Sequence, residues 1–476
     1  MTAIIIWGIA LIWIANTIGA VITVFRQQRD IAATWAWLLV LIFLPIIGFV
    51  LYLFFGKKLP EDHMVDLKTQ ERLGIDALVT SQKAALRQAQ KQHTLPPETQ
   101  SLINLFLVSN TAVVTQENNV TILTDLKAAY QQLLTDVNRA QDHIHLEYYA
   151  FYDNEHGRQL VNLLAYKALR GVKVRVMYDA FGSQHLSRQF FKPLEAAGGQ
   201  VVPFFSSRFR FVNLRFNFRN HRQLAVIDGN TAYLGDFNQN NHHVNIPARD
   251  TRIRITGDGV LSFQARFFMD WNAATRQEKV YYSPQYFPNS DEHGQTSMQL
   301  VSSGPDRELD EIKLGFLKMI AAAKKRLWIQ TPYFIPDDSV LAALVLAINS
   351  GVTVKIMMAK RAKHKMIHHA SLYYARQIVK AGGQIYFSES TGFKSRVMLV
   401  DGQLAAVGTA NLDIRSFRLN FETTAFLYDA QLATELEQSF TADLKECLPF
   451  TKQRIQEQSN QERWSQDLAR LFAPIM

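Results

Sequence analysis

The stretch His221-Arg-Gln-Leu-Ala-Val-Ile-Asp-Gly returns in the second half of the chain as Lys394-Ser-Arg-Val-Met-Leu-Val-Asp-Gly. Each is followed by a short apolar run ending on asparagine, Ala232-Tyr-Leu-Gly-Asp-Phe-Asn238 and Ala405-Ala-Val-Gly-Thr-Ala-Asn411. Working outward, each is preceded by the same order of elements. His143-Ile-His-Leu-Glu-Tyr-Tyr-Ala-Phe reads as a strand, then a helical stretch runs to Leu169, Gly171 breaks it, and Val172–Tyr178 is a second strand. In the later copy the counterparts are Arg326-Leu-Trp-Ile-Gln-Thr-Pro-Tyr-Phe, the helix Ser339–Ser350, Gly351 and the strand Val352–Met358. Alternating strands and helices at these lengths predict an α/β sandwich in each half. The repetition predicts pseudo-two-fold symmetry, with His, Asn and Asp at equivalent points of one shared site.

The remaining composition fits around that duplication. The 476 residues hold 51 Lys+Arg against 42 Asp+Glu, a formal net charge of +9. Some 48% are hydrophobic and 20% charged, which excludes a disordered, collagen-like or low-complexity chain. The single cysteine, Cys447, excludes an intramolecular disulfide and a cysteine-based zinc site. No charged residue occurs from Thr2 to Phe25, and none from Ile31 to Gly56. Each run exceeds the roughly 20 residues a helix needs to cross a bilayer. Only Arg26-Gln-Gln-Arg-Asp separates them, with Trp7, Trp13, Trp35 and Trp37 towards the segment ends and Pro45 inside the second run. This predicts a two-helix transmembrane hairpin. A cleaved leader fits less well, because Met-Thr-Ala carries no basic region and a second apolar run follows at once.

A hairpin returns the chain to the side of Met1. Lys57, Lys58, Lys68 and Arg72 on the domain side against Arg26 and Arg29 at the turn tilt the prediction to a multi-pass protein of the cell membrane with a cytoplasmic domain. Arg26, Arg29 and Asp30 contribute +1, so +8 of the +9 lies beyond the hairpin. Such a domain is drawn to anionic lipid at about 1 kcal/mol per well-placed basic residue. Charge alone would suit nucleic acid equally; the hairpin decides for a bilayer and against nucleic acid. The expected divisions are a hairpin over 1–56, a helical connector over 57–120, and two α/β halves over 121–290 and 291–476. In the connector, Ala77–Gln92 is rich in helix formers and Pro96-Pro97 ends it.

These residues carry a family resemblance. The chain resembles the phospholipase D superfamily, and more closely the bacterial cardiolipin synthases. The resemblance rests on Trp37-Leu-Leu-Val-Leu-Ile-Phe-Leu-Pro-Ile-Ile-Gly, Asn220-His-Arg-Gln-Leu-Ala-Val-Ile-Asp-Gly, Thr331-Pro-Tyr-Phe-Ile-Pro-Asp, and Val407-Gly-Thr-Ala-Asn-Leu-Asp-Ile-Arg-Ser-Phe-Arg-Leu-Asn-Phe-Glu. It implies a phospholipase D-like α/β sandwich built twice. It also implies a transferase of phospholipid biosynthesis that joins two phosphatidylglycerol molecules into cardiolipin and glycerol through a phosphohistidine. No cofactor or metal is implied, because one phosphodiester is exchanged for another.

The family signature is His-x-Lys-x-x-x-x-Asp twice per chain, with an asparagine after each. Two imidazoles share attack and proton transfer near neutral pH, while lysines and asparagines hold the anionic oxygens. Carried onto this chain, His221 is the nucleophile, oriented from the other half by Asp401. Gln223, Asn238, Lys394, Arg396 and Asn411 grip phosphate, and Asp228 faces Lys394. The chain departs from the signature: Gln223 stands at a lysine position, Lys394 at the second histidine and Arg396 at the second lysine, while Asp236 replaces a usual glycine. The missing part is the general acid, worth typically ~10²–10⁴-fold in rate. Three readings follow: a synthase, an impaired paralogue with a degenerate active site that binds anionic phospholipid or pairs with an intact synthase, or a phosphodiesterase or nuclease on the same scaffold. The hairpin and the run from Thr409 to Glu422 disfavour the last.

Other features have two readings each. His364, His368 and His369 have helical spacing that could suit a metal, although a solvated or lipid-facing helix fits better. His242 and His243 could supply an acid from a loop. Ser207-Arg-Phe-Arg-Phe-Val-Asn-Leu-Arg-Phe-Asn-Phe-Arg219 is either a half-buried strand or an interfacial lip. The tail from Arg463 to Met476, with Trp464, Leu468, Leu471 and Phe472, is either a packed terminal helix or a membrane-surface one.

Overall fold

The structure is a computed structural model. It describes residues 7–8, 13–14, 17–19, 21–22, 24, 31–56, 59, 75–92, 95–187, 189–205, 217–237, 249–275, 278–290, 292, 294–360, 364–390 and 392–475. In the first half the strands are β1 (Val114–Asp125), β2 (His143–Tyr148), β3 (Lys173–Asp179), β4 (Gln200–Phe204), β5 (Arg219–Asn220), β6 (Leu224–Ile227), β7 (Thr231–Leu234) and β8 (Arg249–Thr256). The second half contributes β9 (Thr296–Ser303), β10 (Arg326–Gln330), β11 (Phe334–Ile335), β12 (Thr353–Ala359), β13 (Gln384–Ser388), β14 (Val397–Val400), β15 (Leu404–Gly408), β16 (Leu412–Asp413), β17 (Asn420–Leu427) and β18 (Cys447–Phe450).

The two halves share one sheet. Its order is β18-β13-β12-β10-β14-β15-β17-β9-β1-β8-β7-β6-β2-β3-β4, so matching strands lie at matching distances from the β9–β1 junction. That antiparallel junction is where the pseudo-two-fold passes. The expected duplication is therefore present, with both copies fused into a single sheet rather than standing as separate sandwiches. The central strands are buried along their whole length: β2, β6, β14 and β17 expose no residue. Helices cover both faces, which is why these strands read as continuous apolar runs instead of alternating ones.

The crossovers behave as the sequence predicts. Helix Glu155–Leu169 starts on Asn154, whose side chain accepts the Gly157 N–H, and Gly171 follows its end at φ +91°. Helix Asp338–Asn349 starts on Asp337 in the same way, and Gly351 follows at φ +90°. The connector differs from expectation at its end. After the helices Ile75–Gln92 and Pro97–Ser109 the chain enters β1 at Val114, before the boundary drawn at 120. The reason is tertiary: β1 pairs with β8 on one side and β9 on the other, closing the junction between halves.

Among the described residues no helix is long and apolar enough to cross a membrane. The second apolar run forms helices Ile31–Phe43 and Pro45–Leu51, interrupted at Leu44, whose φ and ψ of −128° and 64° are not helical. A residue before proline is pushed out of the helical region, which accounts for the break. Most of the first run lies outside the described residues, although its Val24 is buried in a cluster with Leu38, Leu41 and Tyr52 of the second. The tail forms helix Asn460–Ala469 and a 3₁₀ stretch, Arg470–Ile475. Its small residues, Ala469 and Ala473, are buried, and Asp467 pairs with Arg376 of helix Lys365–Ala381 at 2.7 Å. Trp464, Leu468 and Leu471 face outward, at 76%, 54% and 65% exposure.

Candidate active site

His221 sits where the first half crosses onto the second. β5 pairs in parallel with β17, and the His221 N–H donates to the Phe421 carbonyl at 2.9 Å. On the same strand Asn420 and Glu422, two residues apart and hence on one face, reach the imidazole. Nδ1 lies 3.3 Å from Glu422 Oε1 and 3.1 Å from Asn420 Nδ2. Glu422 is fully buried and is itself held by the Thr409 hydroxyl at 2.5 Å and Asn420 at 3.0 Å. A buried carboxylate at Nδ1 selects the tautomer that carries its proton there. That leaves a lone pair on Nε2. The ring of Tyr149 packs edge-on against the imidazole at 4.4 Å.

The backbone on either side of His221 is fixed by buried charge. Asn220 donates its N–H to Asp179 at 2.8 Å and its side-chain amide to Glu147 at 2.7 Å. Arg222 donates to Asp270 at 2.8 Å. Burial, and then the neighbouring Asp270 charge, push the Glu147 carboxyl up to about 8.

The second-half position is built on the same backbone. The Lys394 N–H donates to the Arg249 carbonyl at 2.8 Å, the counterpart of the His221–Phe421 bond. By that correspondence Asp250 stands where Glu422 stands for His221. It does not take up that role: Asp250 pairs with Arg252 at 3.0 Å. Instead, Lys394 Nζ donates to Asp236 Oδ2 at 2.8 Å. Burial acts to lower the Lys394 ammonium, but Asp236, with Asp250 beyond it, outweighs this and holds it above its ordinary 10.5. Arg396 donates through Nε to Asn411 Oδ1 at 2.6 Å, and Asn411 donates on to Asp413 at 3.0 Å. Gln223 keeps a buried Oε1 with no partner among the described residues.

Two expected contacts are corrected. Asp401 does not reach His221: its carboxylate accepts the N–H groups of Lys324, Lys325 and Arg326 at 2.8–2.9 Å. Asp228 does not face Lys394: it accepts those of Gln141, Asp142 and His143 at 2.7–2.9 Å. Both aspartates sit at positive φ, +52° and +53°, in the turn after a buried strand, and close the start of the neighbouring strand. A side chain committed to three backbone donors one strand length from the crossing has none left for an imidazole.

The structure joins Arg396 directly to Asn411 and ties His221 to the second half through Glu422, while Lys394 reaches back to Asp236 of the first half. Asn238, His242, His243 and residues 207–216 lie outside the described residues. His364 precedes helix Lys365–Ala381, which carries His368 and His369. Glu422, Asn420, Thr409 and Tyr149 were not assigned roles from sequence. The signal for the first two was the spacing Asn420-Phe-Glu422 on one strand face. The partner of Lys394 was visible only as Asp236 in place of a glycine.

Comparison with known proteins agrees with the duplicated fold. A family described as "Cardiolipin synthase, PLD-like domain" matches residues 133–255 and 316–444, one stretch in each half. A second, "Phospholipase_D-nuclease N-terminal", matches residues 5–57. The cardiolipin synthase of Listeria welshimeri is 41% identical over 97% of this chain and 98% of its own length. The major cardiolipin synthase ClsA of Bacillus subtilis is 41% identical over 98% of each. A solved structure, phosphatidylserine synthase from Haemophilus influenzae, covers 75% of this chain and 93% of its own with a TM-score of 0.56 at 16% identity, a likeness of fold. The chain belongs to the cardiolipin synthase family of the phospholipase D superfamily.

Proposed function

We propose that this protein is a membrane-anchored phosphatidyltransferase of the cardiolipin synthase type whose nucleophile is intact and whose proton transfers are impaired, the resolving step more than the covalent one. The observation that carries it is the contrast at the crossing: a buried Glu422 orients His221, while an ion pair with Asp236 holds Lys394 charged. The two apolar N-terminal runs and the +8 charge beyond them support a bilayer anchor, multi-pass, with the α/β body on the cytoplasmic face.

In the first step His221 Nε2 attacks the phosphorus of phosphatidylglycerol. The N–P bond forms, the P–O bond to the headgroup glycerol breaks, and that oxygen needs a proton. Lys394, Arg396, Asn411, Gln223 and Asn238 hold the non-bridging oxygens. The Lys394 ammonium gives that oxygen its proton, and as a weak acid it slows the step. In the second step the hydroxyl of another phosphatidylglycerol attacks phosphorus, the P–N bond breaks, and a base must take the hydroxyl proton. A lysine held above 10.5 takes its proton back from water and is rarely neutral at pH 7, so it is a poor base for that step. Phosphatidyl-histidine therefore forms and resolves slowly.

Full-length protein mixed with labelled phosphatidylglycerol in mixed micelles tests this. Acid-labile label should accumulate on the protein, be absent in His221→Ala, and pass slowly to cardiolipin. Cardiolipin made at many turnovers with no accumulating label would sink the claim of slow resolution. The Lys394–Asp236 pair also favours a second reading, a protein that binds anionic phospholipid or pairs with an intact synthase without turnover. Absence of any covalent label, with lipid binding retained, would establish it over the first.

A further inference from the structure

The transferase reading, on which this inference rests, requires two anionic lipids, hence two phosphates, while the residues around Lys394 and Arg396 account for one. A second pair of cations lies beside His221. The Arg219 guanidinium stacks 3.8 Å over the Phe181 ring and donates to the Phe218 carbonyl at 3.0 Å. Arg415 donates to the Asn217 carbonyl at 2.6 Å and to its side chain at 3.3 Å. Both guanidiniums thus converge on the segment that leads directly into His221. Tyr149, whose ring touches His221, lies close enough to Arg219 for each to shift the other's titration.

Neither arginine forms an ion pair among the described residues. The carboxylates that face them are Asp179, Asp413 and Glu422, and each is engaged elsewhere. Asp179 accepts the N–H groups of Phe181, Gly182 and Asn220. Asp413 accepts Ser416 N–H and the Asn411 amide, and Glu422 holds His221. Burial first, and then their mutual repulsion, lower Arg219 below its ordinary value, and burial lowers Arg415. Two crowded cations without a carboxylate of their own are a cost to the fold that a bound anion removes. The charged groups beside Lys394 are Asp236 and Asp250, whereas Asp413, bound through Asn411 to Arg396, stands between that set and Arg415.

We infer that Arg219 and Arg415 form the subsite for the phosphate of the second lipid, the acceptor phosphatidylglycerol. Planar guanidiniums suit a phosphodiester, each offering paired donors to two oxygens. The acceptor and transferred phosphates of the product are joined through one glycerol, so a cation pair adjacent to His221 places the acceptor hydroxyl at the phosphohistidine. An acceptor held there also displaces the water that would otherwise release phosphatidic acid.

The test is a titration of full-length protein in detergent with short-chain cardiolipin, which carries two phosphates, and short-chain phosphatidylglycerol, which carries one. Wild type should bind the two-phosphate lipid at least ~10-fold more tightly. Arg219→Gln/Arg415→Gln should lose that preference while still binding phosphatidylglycerol. Arg415→Lys, which keeps the charge, should retain most of it. Arg219→Gln alone serves if the double variant does not fold. An unchanged preference in a folded variant overturns the inference. The measurement needs no turnover, so an inactive wild type counts against the transferase reading alone. If wild type makes cardiolipin, the double variant should divert product to phosphatidic acid, and an unchanged product ratio also overturns the subsite.

Discussion

His221 and Lys394 occupy equivalent backbone sites and have opposite surroundings. Each donates its N–H across the junction, to Phe421 and to Arg249. Two residues on, the Gln223 and Arg396 carbonyls accept from Gly235 and Gly408 in matching bonds. Each strand that follows ends on an aspartate closing three backbone donors. In side chains the match stops. For His221 the order is Thr409 to Glu422 to imidazole, a relay that leaves a lone pair free. For Lys394 the counterpart of Thr409 is Asp236, which takes the ammonium itself, and Asp250 turns to Arg252. Symmetry of the scaffold therefore says where chemistry can occur, and the side chains around each position decide whether it does.

The sharpest way to break the comparison is at His221. His221→Ala should abolish covalent phosphatidyl labelling, a loss of roughly 10⁴-fold or more. Residual labelling on any other residue would remove His221 from the role of nucleophile. Glu422→Gln should slow labelling by about 10²–10⁴-fold while leaving lipid binding intact, because the tautomer and orientation are lost together. Single-turnover kinetics would measure it, and a change under about threefold would return the supporting role to another residue.

Converting the second position to resemble the first sharpens the contrast. Lys394→His, Arg396→Lys and Gln223→Lys combined with Asp236→Gly should raise cardiolipin formation by ~10²–10⁴-fold, the range expected of a restored acid and base. The same set with Asp236 retained should gain less, since that carboxylate would still claim whatever stands at position 394. In the unaltered protein, resolution of the covalent species should quicken about tenfold per unit of pH from 7 to 9. The sign follows from Lys394: its pKa is raised, the neutral base is scarce, and its fraction grows with pH throughout that range. A flat profile, read by chasing labelled protein, would exclude Lys394 from the step. The smallest effect concerns the corrected aspartates. Asp401→Ala should cost about 1 kcal/mol of stability, since only the Arg326 N–H of the three it accepts is part-buried, and leave labelling per folded molecule nearly unchanged. Lost labelling with unchanged stability would restore Asp401 to the site.

Much of this could be read along the chain. The duplication, the strand–helix–strand order around Gly171 and Gly351, and the equivalence of the His221 and Lys394 positions all follow from local pattern and repeat. The pairings did not. Asp401 and Asp228 carry the signature's spacing, and spacing along one strand cannot show that a turn at positive φ points the carboxylate back at the next strand. Glu422 lies some two hundred positions from His221, and only the β5–β17 pairing makes them neighbours.

Hydrophobic periodicity and turn residues act over a few residues, so the sequence by itself determined the elements, their repetition and the loss of the second histidine. Which carboxylate serves which base is a long-range matter of sheet register. Only the tertiary structure assigned Glu422 to His221 and Asp236 to Lys394, because charges meet across strands that are far apart in the chain.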